Sequence, residues 1–298
     1  MRMLSYTVPP RCDGETVYRL LRGELQLSYT LIKSLKWREN AILLNGSSVH
    51  VNAVAHTGDT LSVALSERRI PSPAISSCDM PLDIIYEDED LLVINKSAHV
   101  AMHPKSGDPL APNMAGALRA YLGEDSTAHF VSRLDKGTSG LFIAAKTGYA
   151  HNLLRLALHS ESLRREYRAV ALGCVTPAHG TVELPIGRAE GSIVKRCVTP
   201  NGQPSVTEYE VLSQNERFTL LRLIPHTGRT HQLRVHMSAL GYPLAGDWLY
   251  GTEDRSLIDR PALHSFELWF KHPISGKDLH FTAPIPQDMQ ALMQSGES

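Results

Sequence analysis

The stretch His129-Phe-Val-Ser-Arg-Leu-Asp-Lys-Gly-Thr-Ser-Gly140 holds the first residue pattern suited to chemistry. A carboxylate, Asp135, stands just ahead of a Gly-Thr-Ser-Gly turn that leads into the apolar run 141–145. A tight turn at the mouth of a buried strand presents a carboxylate to a ligand from a rigid scaffold. Gly137 and Gly140 open backbone conformations closed to other residues. Asp also bonds the amides of its own turn, and spacing alone leaves both readings open. The second stretch is His226-Thr-Gly-Arg-Thr-His-Gln-Leu-Arg-Val-His-Met237. Here Arg234 borders a helical stripe of Leu233, Met237 and Leu240, so it either meets a carboxylate or phosphate or lays its stem on the stripe with its head in water. The histidines at 226, 231 and 236 are spaced five and five, which does not put them on one helical face. HExxH and HxH patterns are absent from this stretch, so no metal is expected. The third stretch, Arg164-Arg-Glu-Tyr-Arg-Ala169, interleaves bases with an aromatic at a strand start. Tyr167 is suited to stacking on a base or moving a proton, and equally to a cross-strand aromatic pair.

Elements must hold these residues in place. Apolar runs at 91–94, 141–145, 167–172 and 218–224 read as buried strands. A helix is expected from about Gly148 to Leu158 with Thr147 as N-cap. Another is expected from about His231 to Leu240 with Thr230 as N-cap and Gly241 as the C′ stop. The first 65 residues read as a small α+β unit. It has two short helical stripes, the second capped by Ser28. A strand at 41–44 follows, then the Asn45-Gly46 turn with a returning strand at 49–52, and a strand at 60–65 after Gly58-Asp59. Residues 66–82, with three prolines and four serines, read as a linker. The organisation expected is a module at 1–65, a linker at 66–82 and a main domain at 83–298.

At 298 residues, 42% hydrophobic and 20% charged, the chain is too apolar and too near neutrality to be largely disordered. A net charge of −1 argues on its face against nucleic acid, but the charge is segregated. Residues 71–128 carry nine acids and three bases, residues 129–173 seven bases and three acids, and residues 215–240 four arginines and one Glu. Cys12, Cys78, Cys174 and Cys197 form no CxxC pair and suggest neither a zinc ribbon nor a disulfide framework. With no apolar run of about 18 residues and no signal-peptide core at the N-terminus, a reduced, cytoplasmic setting without a membrane span is expected.

In combination these segments resemble the RluA family of RNA pseudouridine synthases. Residues Arg133-Leu-Asp-Lys-Gly-Thr-Ser-Gly140 match its hallmark H-R-L-D-x-x-T-S-G apart from Ser132 in the His position. Tyr86 to Lys96 followed by Met102-His-Pro104 is similar to the strand that opens its catalytic domain, with Ser97 for the usual Pro and His99 for the usual Gly. Arg165-Glu-Tyr-Arg-Ala169 resembles its K-x-Y-x-A motif. Thr227 to His236, Gly241 to Asp247 and Leu249-Tyr-Gly251 match its third motif, and Arg260-Pro-Ala-Leu-His264 its C-terminal signature. More loosely, residues 1–65 resemble the RNA-binding module of the ribosomal-protein-S-four type, with Lys33, Lys36 and Arg38 around Trp37 as a modest basic set.

The resemblance implies an α+β pseudouridine synthase fold: a mixed, largely antiparallel central sheet with flanking helices and a cleft across it. It implies conversion of uridine to pseudouridine in RNA, ribosomal or transfer, by a monomer that needs no cofactor. Asp135 would be the nucleophile, with Arg234 keeping it ionised and aimed. Tyr167 would stack on the uracil and take the proton from the carbon that becomes bonded. Arg133, Lys136 and Arg229 would hold phosphates or the flipped strand. Two other readings compete: an RNA-binding protein that keeps the fold without the chemistry, and a carboxylate hydrolase. The second needs a paired carboxylate. Glu166 is the nearest, and it alternates with Tyr167 on the expected strand.

Overall fold

The structure, a computed structural model, describes residues 2–65, 75–104, 108, 110–123, 128–160, 162–251, 254 and 256–295. The N-terminal part contains β1 (Met3–Thr7), α1 (Val17–Gly23), α2 (Tyr29–Leu35), β2 (Ile42–Leu44), β3 (Ser47–Ser48) and β4 (Thr60–Ala64). Its strands form an antiparallel sheet in the order β1-β4-β2-β3. The Thr16 and Ser28 hydroxyls cap α1 and α2 by accepting from the amides of Arg19 and Leu31. Each helix buries one stripe, Val17, Leu20 and Leu21 on α1 and Leu31, Ile32 and Leu35 on α2, against Leu61 and Val63 of β4. The strand expected at 49–52 does not form. The return arm of the hairpin is Ser47–Ser48 alone, because Val51 and Ala53 turn their carbonyls to the amides of Tyr18 and Val17 at the start of α1.

Of the linker expected at 66–82, residues 66–74 lie outside the described residues, and 75–82 carry no helix or strand. The N-terminal part nevertheless touches the rest of the chain. Tyr149 completes its apolar core, Asn152 Nδ2 donates to the Gln26 carbonyl at 2.7 Å, and Arg2 Nη1 meets Asp90 Oδ1 at 2.5 Å.

The larger part runs through β5 (Asp83–Glu87), β6 (Leu91–Lys96), α3 (Met114–Leu122), β7 (His129–Phe130), β8 (Ser139–Ala145), α4 (Gly148–His159), β9 (Arg164–Leu172) and β10 (His179–Glu183). It continues through β11 (Ile186–Arg188), β12 (Arg196–Val198), β13 (Val206–Gln214), β14 (Phe218–Pro225), α5 (Gln232–Ala239), β15 (Leu263–Lys271), β16 (Asp278–Thr282) and α6 (Gln287–Gln294). A ten-stranded sheet has the order β10-β13-β14-β9-β15-β8-β6-β5, with β16 beside β15 and β7 beside β8. Its pairings are antiparallel except β15 against β8. This is the mixed, largely antiparallel sheet with flanking helices that the family resemblance implied. Every residue of β8 is buried, so it reads as an unbroken apolar run. Where β8 meets β15, Gly140 has φ +104, and a Cβ there would lie 2.2 Å from the Ser265 carbonyl oxygen. The crossing requires glycine.

The larger part has four helices among the described residues, of which α4 and α5 are the two legible in the sequence. One expectation needs correction: α5 is not capped by Thr230. The residue before it is His231, in the left-handed region at φ +59 with no side-chain cap. The preceding loop is held instead by Gln232, whose Oε1 accepts from Thr227 Oγ1 and the Arg229 amide while Nε2 donates to Val206 O and Thr207 Oγ1.

Candidate active site

A cleft of about 670 Å³ opens over the end of β8, and Asp135, Tyr167 and Arg234 all line it. Asp135 sits on the turn entering β8, and its carbonyl accepts from the Thr138 amide at 3.1 Å. Its carboxylate is partly exposed and receives Arg234 Nη1 at 3.3 Å on Oδ2. Arg234 comes from the first turn of α5 and is 5% exposed, so its head is not in water. Nε and Nη2 each donate to the Asp247 carboxylate at 2.7 Å, the bidentate geometry that fixes a guanidinium plane. Asp247 is fully buried. Burial opposes the charge on Arg234, but Asp247 and then Asp135 outweigh it and raise its pKa above the ordinary value. One arginine thus spends two donors on a buried anchor and aims a third at Asp135.

His231 and Tyr250 form the other wall. The Tyr250 hydroxyl accepts from the Arg196 amide at 2.9 Å and lies 2.8 Å from His231 Nδ1. The other ring nitrogen, Nε2, lies 3.9 Å from Asp135 Oδ1. Burial lowers the His231 pKa below its ordinary value, with Asp135 pulling the other way, which keeps the ring neutral near pH 7. The Arg234 guanidinium stands 5.0 Å over the Tyr250 ring.

Tyr167 projects from β9 with its ring in the main core and is 6% exposed. It is not an aromatic pair; its register partners on β14 and β15 are Leu223 and Ser265. Glu166, next to it, turns away to a buried ion pair with Arg168 and one with Arg222 at 2.7 Å. That geometry removes the second carboxylate a hydrolase would need. Arg133, Lys136 and Arg229 are exposed residues on the cleft lining. Arg229 is tethered, donating from Nε to Pro204 O at 3.2 Å.

The histidines at 226, 231 and 236 diverge as their spacing implies. His226 faces Glu208, His231 faces Tyr250, and His236 bridges Thr207 Oγ1 and Leu184 O. Among the described residues, the potential metal ligands that converge are Asp88, Asp90 and His272, away from the cleft. There His272 Nδ1 accepts from the amides of Ile274 and Ser275, so Nε2, 2.9 Å from Asp88 Oδ2, carries the proton that a metal would have to displace.

Sequence reasoning missed the residues that support the site. Asp247 lies in the quoted motif without an assigned role. Gly246 before it has φ +69, and a Cβ there would fall 2.2 Å from the Arg260 carbonyl oxygen. Lys96, 1% exposed, donates from Nζ to the carbonyls of Ser97, Val100 and Lys136 at 2.9, 3.0 and 3.2 Å. Burial pushes its pKa down to about 7, against the pull of Asp135. The signal for Asp247 was available: an arginine on an apolar stripe calls for a buried carboxylate. For Lys96 the signal is a lysine ending the apolar run 91–94.

Comparison with known proteins places the chain in a family. The family described as RNA pseudouridylate synthase matches residues 90–239. The RNA pseudouridine synthase YjbO of Bacillus subtilis (strain 168) is 42% identical over 274 residues, spanning 91% of this chain and 96% of its own. Ribosomal large subunit pseudouridine synthase D of Vibrio parahaemolyticus is 43% identical over 232 residues, spanning 73% of this chain and 71% of its own. The solved structure of human RNA pseudouridylate synthase domain containing 1 superposes with a TM-score of 0.58 at 26% identity, covering 76% of this chain and 97% of that one. Fold, cleft and sequence define an isomerase that modifies RNA. The chain belongs to the RNA pseudouridylate synthase family, and its relatives are of the RluA type.

Proposed function

We propose that this enzyme converts specific uridines of large-subunit ribosomal RNA to pseudouridine, with Asp135 as the nucleophile. The observation that carries this reading is the meeting of Asp135 with a buried, doubly anchored Arg234 in the cleft that Tyr167 also lines. The reaction is an isomerisation. The bond from ribose carbon 1′ to uracil N1 breaks, the base turns, carbon 1′ bonds to carbon 5, the carbon 5 proton leaves and N1 is protonated. Atoms and electrons balance without a co-reactant, so no cofactor is required.

Asp135 forms and releases the covalent intermediate. Arg234 orients the carboxylate, a preorganised contact that costs no rearrangement during reaction. Tyr167, which lines the cleft, stacks on the uracil and takes the carbon 5 proton. Arg133, Lys136 and Arg229 at the cleft rim hold the phosphates of a strand whose target base is flipped out of its stack. Large-subunit RNA is the substrate of the relatives named synthase D. Residues 1–65 act as an RNA-binding module of the ribosomal-protein-S-four type, and 83–298 as the catalytic domain. The enzyme works in the cytoplasm as a monomer. No described helix is long and apolar enough to cross a membrane.

The test uses RNA from a strain lacking the gene, labelled with tritium at uracil carbon 5. Wild-type enzyme releases tritium, and Asp135→Ala releases none while binding the same RNA and melting at the wild-type temperature. Full release by Asp135→Ala refutes the assignment.

A further inference from the structure

We propose that Asp288, in the first turn of α6, is a positioning residue that acts through Arg260 on the backbone of the turn carrying Asp135. This rests on the reading of Asp135 as the reacting group. The turn is gripped by two buried cations. Lys96 Nζ donates to the Lys136 carbonyl, and Arg260 Nη1 reaches the Gly137 carbonyl at 3.4 Å. Arg260 is 2% exposed. The same Nη1 is shared with the carbonyls of Pro261 and Leu263 at 3.4 and 3.3 Å. Three long, divided contacts do not aim a guanidinium. The short ones do: Nε and Nη2 donate to the two Asp288 carboxylate oxygens at 2.6 and 2.8 Å.

Asp288 is itself fixed to the body of the domain. Its Oδ1 accepts from the Met289 amide at 2.8 Å. Met289 and Leu292 bury α6 in a core with Val170, Phe218, Ala245, Ile258 and Ala262. Asn215 Nδ2 holds the far end of the helix through the Met293 carbonyl at 2.8 Å. The other end of the linkage is equally tight. A Cβ on Gly137 would fall 2.8 Å from Pro261 Cδ, so the turn lies directly on the segment that Arg260 leads. Burial works to raise the Asp288 pKa, and the Arg260 guanidinium outweighs it, holding the carboxyl below its ordinary value and ionised at neutral pH. Asp288 lies beyond residues 90–239, the region matched by the family. The C-terminal helix is thereby coupled to the catalytic turn by one arginine.

The Asp288 side chain is 39% exposed, so its replacement opens no core cavity. In Asp288→Asn one oxygen becomes an NH₂ that faces an Arg260 donor, and the bidentate grip is lost. The experiment compares wild type, Asp288→Asn, Asp288→Glu and Met289→Ala by tritium release from the labelled RNA, with kcat and KM separated and the folded fraction followed by circular dichroism. Asp288→Asn is expected to lose roughly 10–100-fold in kcat, with KM unchanged within about twofold, as a misplaced reacting group would. Asp288→Glu, which keeps the carboxylate fork, recovers most of that loss. Met289→Ala loosens the helix without touching the ion pair, and lowers the melting temperature more than it lowers kcat. Two results overturn the proposal: a wild-type kcat in Asp288→Asn, or a loss in Met289→Ala equal to that of Asp288→Asn at the same folded fraction. Absence of tritium release by wild type would instead bring down the isomerase reading, and the proposal with it.

Discussion

The catalytic cleft and the N-terminal part handle charge in opposite ways. Around Asp135 the protein buries Arg234, Asp247, Lys96 and Arg260, each with several partners. In residues 1–65 the described core is apolar, and Lys33 and Lys36 stand outside on α2 and at its end. Trp37 is 79% exposed, with the Lys36 ammonium 4.9 Å from its ring. Buried charge is costly unless paired, and a paired network fixes geometry in return. Solvated charge is cheap and weakly directed. The cleft is therefore built to place atoms, whereas the charges of the N-terminal part stay in solvent.

That contrast is most exposed to test at Asp247. Asp247→Asn leaves Arg234 buried with half its anchor, and is expected to destabilise the fold by about 3–5 kcal/mol. Activity of the folded fraction should fall about 100-fold as Arg234 swings off Asp135. Denaturant unfolding and tritium release measure the two effects. An Asp247→Asn protein with normal activity would mean that Arg234 needs no buried anchor.

Lys96 gives a pH signature that no surface lysine should show. Its folded pKa of about 7 lies below the ordinary 10.5. Between those values the unfolded chain binds more protons than the folded one, so stability attributable to Lys96 rises with pH. Below pH 7 both states are protonated and the penalty of burying the charge is fully present. The stability of wild type relative to Lys96→Met should therefore improve from pH 7 to 10, by up to about 1.4 kcal/mol per pH unit. Denaturant titrations of both proteins at several pH values check this. A difference independent of pH would show that Lys96 keeps an ordinary affinity for its proton.

The smallest effects belong to the N-terminal part. Trp37→Ala with Lys36→Ala should weaken RNA binding about tenfold through lost stacking and one phosphate contact, with kcat unchanged. The log–log slope of wild-type affinity against salt should be shallower than about −6, as few phosphate contacts imply. A steeper slope in filter-binding titrations would point to a larger basic surface than these residues provide.

Legibility in the sequence followed the same division. Strands buried on both faces, such as β8, declare themselves as apolar runs. The helix α4 declares itself through Thr147, which does cap it. By contrast α6 is only eight residues long, and its apolar positions Met289, Leu292 and Met293 make a single i, i+3, i+4 set, too short to stand out. The segment 49–52 alternates like a strand, yet its carbonyls serve the start of α1, a demand that only the tertiary arrangement creates. At the site, the motif residues Asp135, Tyr167 and Arg234 were readable as types in context. Their supports were not, because Asp247 and Asp288 reach their arginines only after the turn at Gly246 and the docking of α6 are in place.

The most direct test of the central claim is pseudouridine mapping of total RNA from a strain lacking the gene, complemented with wild-type protein or with Asp135→Asn. The account predicts that wild type restores pseudouridine at discrete uridines of large-subunit ribosomal RNA and that Asp135→Asn restores none. Restoration by Asp135→Asn would contradict it.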